Sequence, residues 1–183
     1  LRKKQKNYCH YTFLEYICKK IHSTINIRRN MNKKELMARA ILLSKESVEC
    51  GGGPFGAVIA RNGEIVAEAS NRVTIDCDPT AHAEVLAVRD AARALRTMRL
   101  TGCTLYTTLE PCYMCAGALV HSRVDRIVFG AADPRTGSCG SVFTIAGSPL
   151  VNHRFRDITG GVMAEECGRI LQEFFESRRK DGS

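Results

Sequence analysis

Apolar positions in residues 32–50 recur with a helical period. Leu36, Met37, Ala40, Ile41 and Val48 fall on one face, and Gly51, Gly52 and Gly53 end the segment. Residues 55–60 read as a short apolar strand, Arg61-Asn62-Gly63 as a tight turn, and residues 64–69 as the returning strand. Asp78 before Pro79 has the form of an N-cap with proline at the first helical position, opening an Ala-rich helix to Leu95. A third strand follows at 103–107, and Glu110-Pro111 opens another helix that reaches His121. Residues 124–129 alternate and then turn wholly apolar, as a fourth strand does. Residues 131–160 are rich in Gly, Pro and Ser, a loop with room for one short helix, and 156–159 form a short fifth strand. The closing helix spans 162–179, with Met163, Cys167, Ile170, Leu171, Phe174 and Phe175 as its inner stripe. Strands alternating with helices predict an α/β sandwich around one sheet.

Composition narrows the class. At 183 residues, with 44% hydrophobic and 25% charged, the chain supports one domain with a core of its own. No apolar run approaches the roughly 20 residues that span a bilayer, so no membrane role is expected. The net charge of +8 invites a nucleic-acid reading, but its placement weakens it. Ten of the 27 Lys and Arg lie in residues 1–34 beside one acid, Glu15, so the remainder is near neutral. Residues 1–31 therefore read as a basic N-terminal extension, disordered or non-native, and 32–180 as the folded domain. Two other readings of the extension stand beside that one: a basic tail that touches nucleic acid, and an organelle-targeting peptide. The Lys/Asn/Ile mixture fits a targeting peptide least well. Nine cysteines, an odd number without a secretory signal, predict reduced thiols and a cytoplasmic protein rather than a disulfide framework.

Two short motifs carry chemistry: His82-Ala83-Glu84 and Pro111-Cys112-Tyr113-Met114-Cys115. Cys112 and Cys115 are three residues apart, so on a helix they share a face and can hold one ion. A helix N-terminus favours the thiolates that a metal needs. One imidazole and two thiolates suit zinc. Three protein ligands leave a fourth tetrahedral position for water, the pattern of a catalytic site. Zinc lowers the pKa of such a water to about 7, and Glu84 is placed to take its proton and pass it to a leaving group. Cys77, Cys103 and Cys139 are further thiols, but nothing in the sequence recommends them as a fourth ligand.

These residues resemble the zinc-dependent nucleoside and nucleobase deaminase superfamily, whose signature pairs His-x-Glu with Pro-Cys-x-x-Cys. The stretch Gly52-Gly53-Pro54-Phe55-Gly56 is similar to guanine deaminases. From Thr108 through Ala118, and again at Phe129-Gly130-Ala131-Ala132-Asp133 and Ala164-Glu165-Glu166-Cys167, the chain resembles the bacterial tRNA-specific adenosine deaminase branch. Two positions depart from that branch: Phe55 stands where valine is usual, and Val73 where proline is. The resemblance implies a three-layer α/β/α sandwich with a central mixed five-stranded sheet. It also implies one zinc ion per subunit, held by His82, Cys112 and Cys115, with Glu84 as the proton carrier. Asn71 and the Ala83 backbone N–H would orient the nucleoside, Asp133 would shape the loop beside it, and Phe175 and Arg178 would meet the anticodon loop. The implied activity is adenosine-to-inosine deamination at the wobble position of a tRNA, by a homodimer. Two alternatives remain at this level: a small-molecule guanine or nucleoside deaminase, and a catalytically silent zinc- or RNA-binding module.

Overall fold

The computed structural model describes residues 30–181; the proposed extension, apart from its last residues, lies outside them. The chain runs α1 (Lys33–Glu49), β1 (Gly56–Arg61), β2 (Glu64–Ser70), α2 (Val73–Asp76), α3 (Ala83–Ala94), β3 (Cys103–Leu109), α4 (Tyr113–Ser122), β4 (Arg126–Ala131), β5 (Asp157–Thr159) and α5 (Ala164–Asp181). The strands form one sheet in the order β2-β1-β3-β4-β5. β1 is antiparallel to both β2 and β3, whereas β3, β4 and β5 run parallel. The sheet is thus mixed and five-stranded, and helices cover both of its faces, as the resemblance implied.

Strand alternation sorts the core into two halves. Ala57, Ile59, Leu105, Ile127 and Phe129 face α3 and α4, packing on Ala83, Ala87, Ala91 and Leu119. Val58, Ala60, Tyr106 and Val128 point the other way, onto Leu36, Met37, Ala40 and Ile41 of α1 and Cys167 and Ile170 of α5. α1 lies so close to β1 that a Cβ at Gly56 would collide with the Ala40 carbonyl oxygen. Its start is a capping box: Asn32 accepts from the N–H groups of Lys34 and Glu35, and the Glu35 carboxylate accepts from the Asn32 N–H.

Val48, expected on the inner face of α1, is exposed. Ser44 and Ser47 are buried on that face instead, and the Ser47 hydroxyl donates to the Asn71 carbonyl at 2.9 Å. Asp78 does not cap a helix: its carboxylate accepts from both the N–H and the hydroxyl of Thr80, closing a local turn. α3 therefore starts later, with His82 as its N-cap. α4 likewise starts after Cys112 rather than at Glu110-Pro111, because the Glu110 side chain is turned into the protein. The single turn α2 escapes the periodicity argument; a bidentate Arg72–Asp76 pair at 2.8 and 2.6 Å supports it. Residues 132–156 form turns and loop without a helix. On α5, Cys167 and Ile170 are buried, but Phe175 of the expected inner stripe is 51% exposed.

Candidate active site and metal centre

The chemistry-bearing residues gather at the carboxyl ends of β3 and β4, where α3 and α4 begin. Ligand sites in open α/β sheets form outside the carboxyl ends of the strands. His82 and Cys112 are the N-cap residues of α3 and α4, both extended in backbone, and neither side chain makes a capping hydrogen bond. Both are thereby free to face a common point. Cys115, one turn into α4, completes the group, and the three ligand atoms lie within 4.8 Å of one another.

The spacing fits zinc. Tetrahedral Zn–S bonds of about 2.3 Å and Zn–N bonds of about 2.0–2.1 Å set nitrogen and sulfur roughly 3.6 Å apart. His82 Nδ1 lies 3.8 Å from Cys112 Sγ and 3.5 Å from Cys115 Sγ. Hydrogen bonding from Cys115, and then from His82, lowers the Cys112 thiol to about 4. Of the two thiols, Cys112 is the one whose surroundings favour the thiolate. Its hydrogen bond raises the His82 imidazole, while Cys115, paired with Cys112 and buried, is raised.

Glu84 follows His82 by two positions in the first turn of α3, and its carboxylate is buried. Burial raises its pKa, which suits a group that must hold a proton and release it. The Thr107 hydroxyl of β3 donates to Oε1 at 3.3 Å, and the Cys115 thiol lies 3.6 Å from Oε2. Glu84 is thus held from the sheet on one side and borders the metal ligands on the other. Among the described residues, this is the one His/Cys/Asp/Glu group that can hold a metal.

A family comparison decides what this geometry belongs to. The cytidine and deoxycytidylate deaminase zinc-binding region matches residues 30–131. The chain belongs to this deaminase family. The deaminase is 46% identical over 151 residues to the tRNA-specific adenosine deaminase of Bacillus subtilis, covering 82% of this chain and 93% of that one. Among solved structures, one from work on A-to-I editing by tRNA:A34 deaminases superposes with a TM-score of 0.73 at 36% identity, covering 76% of this chain and all of that one. A guanine deaminase from Nitrosomonas europaea also reaches a TM-score of 0.73, at 25% identity, with 84% of this chain and 90% of that one covered. The deaminase is accordingly a zinc-dependent hydrolytic enzyme.

The other sequence-predicted residues lie at varied depth. Asn71 is buried just after β2; its Oδ1 accepts from the Val73 N–H at 3.3 Å. Its neighbour Arg72 donates its N–H to the Ala81 carbonyl, tying this segment to the approach to His82. Ala83 is fully buried as the first residue of α3, where backbone N–H groups have no partner within the helix. Asp133 sits in the loop after β4, and its carboxylate accepts from the Arg135 N–H and the Thr136 hydroxyl. Phe175 and Arg178 lie on the outer part of α5. The Arg178 guanidinium stands over the Phe174 ring at 5.2 Å, and Phe174 meets Phe175 edge-to-face at 5.3 Å.

Sequence reasoning missed Thr107 and Glu110. Thr107 gave no signal beyond its place in a strand. Nor did Glu110: Glu110-Pro111 reads as a helix start, and the partners of its carboxylate lie beyond the next helix and strand. Its buried carboxylate accepts the N–H groups of Asp133, Cys139 and Ser141. Burial opposes the charge, but these bonds and the Ser141 hydroxyl outweigh it, and the pKa falls below the usual carboxylate range.

Proposed function

We propose that the protein hydrolyses adenosine to inosine at the wobble position of a tRNA anticodon, releasing ammonia. The observation that carries this reading is the identity to a tRNA-specific adenosine deaminase along nearly that relative's whole length, 93% of it, with the complete His82, Cys112 and Cys115 set and Glu84 present. When bound, zinc supplies a water activated for attack near neutral pH. Glu84 accepts the proton from that water on its carboxylate and delivers it to the departing amine. The Thr107 hydroxyl keeps Oε1 oriented for this transfer. The Asn71 side chain and the Ala83 N–H orient the nucleoside, and the loop bearing Asp133 lies beside it.

The base must leave its stack to reach this buried floor, and a single-stranded anticodon loop lowers the cost of extrusion. Phe175, exposed, offers a stacking surface, and Arg178 offers a cation for the same loop. We further read the protein as a cytoplasmic homodimer, in which the exposed apolar residues Tyr113, Val142 and Phe143 offer surface to a second copy. Residues 1–31 remain, on this reading, an extension to a catalytic domain at 32–180.

The test is one assay run on four substrates: an anticodon stem-loop with adenosine at the wobble position, free guanine, free adenosine and free cytidine. Inosine in the stem-loop, with little turnover of the small molecules, is the expected result. Ammonia from guanine without inosine in RNA overturns the substrate assignment.

A further inference from the structure

The carboxylate at the head of the Pro-Cys-x-x-Cys turn does more than follow a strand. Glu110 is only 1% exposed. Its Oε2 accepts the Asp133 N–H at 3.2 Å, and its Oε1 accepts those of Cys139 and Ser141 at 2.9 and 3.1 Å. One side chain thus holds both ends of the segment 133–141. The main chain adds ties of the same kind: the Glu110 N–H donates to Ala131, the Ser138 N–H donates to Pro111, and Cys112 forms an isolated bridge with Gly137. The loop also leaves room for the carboxylate. A Cβ at Gly137 would lie 2.5 Å from Glu110 Oε2 and 2.5 Å from the Asp133 carbonyl oxygen.

We infer that Glu110 is a positioning residue: it clamps the segment 133–141 against the turn that carries Cys112, and so presets one wall of the substrate site before substrate arrives. The inference rests on the reading that the Asp133 loop borders the bound nucleotide. Two oxygens serving three N–H donors cannot be copied by a neutral amide. Glutamine offers one oxygen and turns an NH2 group toward either Asp133 or the Cys139/Ser141 pair, so one end of the segment is released. The Glu110 carboxylate accepts from backbone N–H groups of the loop and not from His82, Cys112, Cys115 or Glu84, so its loss acts on how substrate is seated rather than on the proton transfer.

The test is Glu110→Gln in the zinc-loaded, full-length protein, with Gly137→Ala as a second variant that pushes the segment away while Glu110 is kept. In Glu110→Gln, hydrogen exchange at the amides of Cys139 and Ser141 or of Asp133 should quicken at least about tenfold, the scale of one charge-assisted hydrogen bond. Zinc stoichiometry should be retained. KM for the anticodon stem-loop should rise about tenfold while kcat stays within about threefold, the mark of lost ground-state seating. Gly137→Ala should raise KM similarly, and the double variant should fall short of the product of the two single effects, because both act on one clamp. Unchanged exchange at all three amides, loss of zinc, a fall in kcat at constant KM, or fully multiplicative effects would each overturn the inference. If the unaltered protein makes no inosine in the stem-loop, the proposed function fails, while the exchange measurement still decides the clamp.

Discussion

Replacing Glu84 by glutamine separates the proton carrier from the metal site. The isostere keeps an oxygen to accept the Thr107 hydroxyl, now 3.3 Å from Oε1, and turns an NH2 group toward Cys115 Sγ, now 3.6 Å from Oε2. Packing is therefore preserved, and zinc should remain at one ion per chain by atomic emission. What is lost is a carboxylate that takes a proton and returns it. A positioned general acid–base contributes about 10²–10⁴ in rate, equivalent to roughly 3–5 kcal/mol at 1.36 kcal/mol per decade. Glu84 serves both halves of the reaction, so the upper end of that range is expected, read as kcat in single-turnover deamination of the stem-loop. Stability should move the other way. Burial disfavours the Glu84 charge, and a neutral amide carries no such penalty. The Tm of Glu84→Gln should therefore hold or rise by up to about 2 °C, less than 1 kcal/mol for a chain of this size. Retained zinc with turnover within tenfold of the unaltered protein would remove Glu84 from its role. Lost zinc would show that it supports the metal site instead.

Three further outcomes follow from the same geometry. After chelation, iodoacetamide at pH 6 should label Cys112 ahead of Cys103, Cys115, Cys139 and Cys167: at that pH a thiol lowered to about 4 is a thiolate, whereas the other four are raised. Peptide mapping reads the order, and equal labelling of Cys112 and Cys115 would contradict it. Leu105→Ala opens a cavity at a fully buried position in the centre of the sheet and should cost about 2–5 kcal/mol in urea unfolding; a cost below 1 kcal/mol would mean the site collapses or is not packed as described. Deleting residues 1–30 should leave fold and zinc content intact, and a large loss of RNA affinity on deletion would make the prefix a binding element, with salt slopes counting its phosphate contacts.

The parts of the protein legible in its sequence are those set by local pattern. The 3.6-residue stripe of Leu36, Met37, Ala40 and Ile41 marks α1, and the Asn-Gly turn at Asn62-Gly63 marks the β1–β2 hairpin. The metal triad was legible because Cys112 and Cys115 are bound by helical spacing and His82 by motif. Helix starts were misread where a good cap was occupied elsewhere: Asp78 spends its carboxylate on Thr80, and His82, a poor cap by type, takes the position because its side chain is needed at the metal. Glu110 was misread for a non-local reason. Its partners Asp133, Cys139 and Ser141 lie beyond the next helix and strand, and no window of sequence brings them together. The exposure of Phe175 is likewise set by what packs against α5, which periodicity does not reveal.

The separation of the metal ligands along the chain has a bearing on how the enzyme matures. Cys112 and Cys115 are near neighbours and can capture an ion while the chain is still unfolded. His82 lies 30 residues before Cys112, and what holds it beside them is β1 paired with β3 through Ala57 and Thr107 and α3 docked by Ala83, Ala87 and Ala91 on that surface. Long-range pairing is the slow part of folding such a sheet. The expected order of capture is therefore the two thiols first and the imidazole last. Cobalt followed through refolding should pass from a two-thiolate spectrum to the mixed nitrogen–sulfur one at the rate at which the sheet assembles.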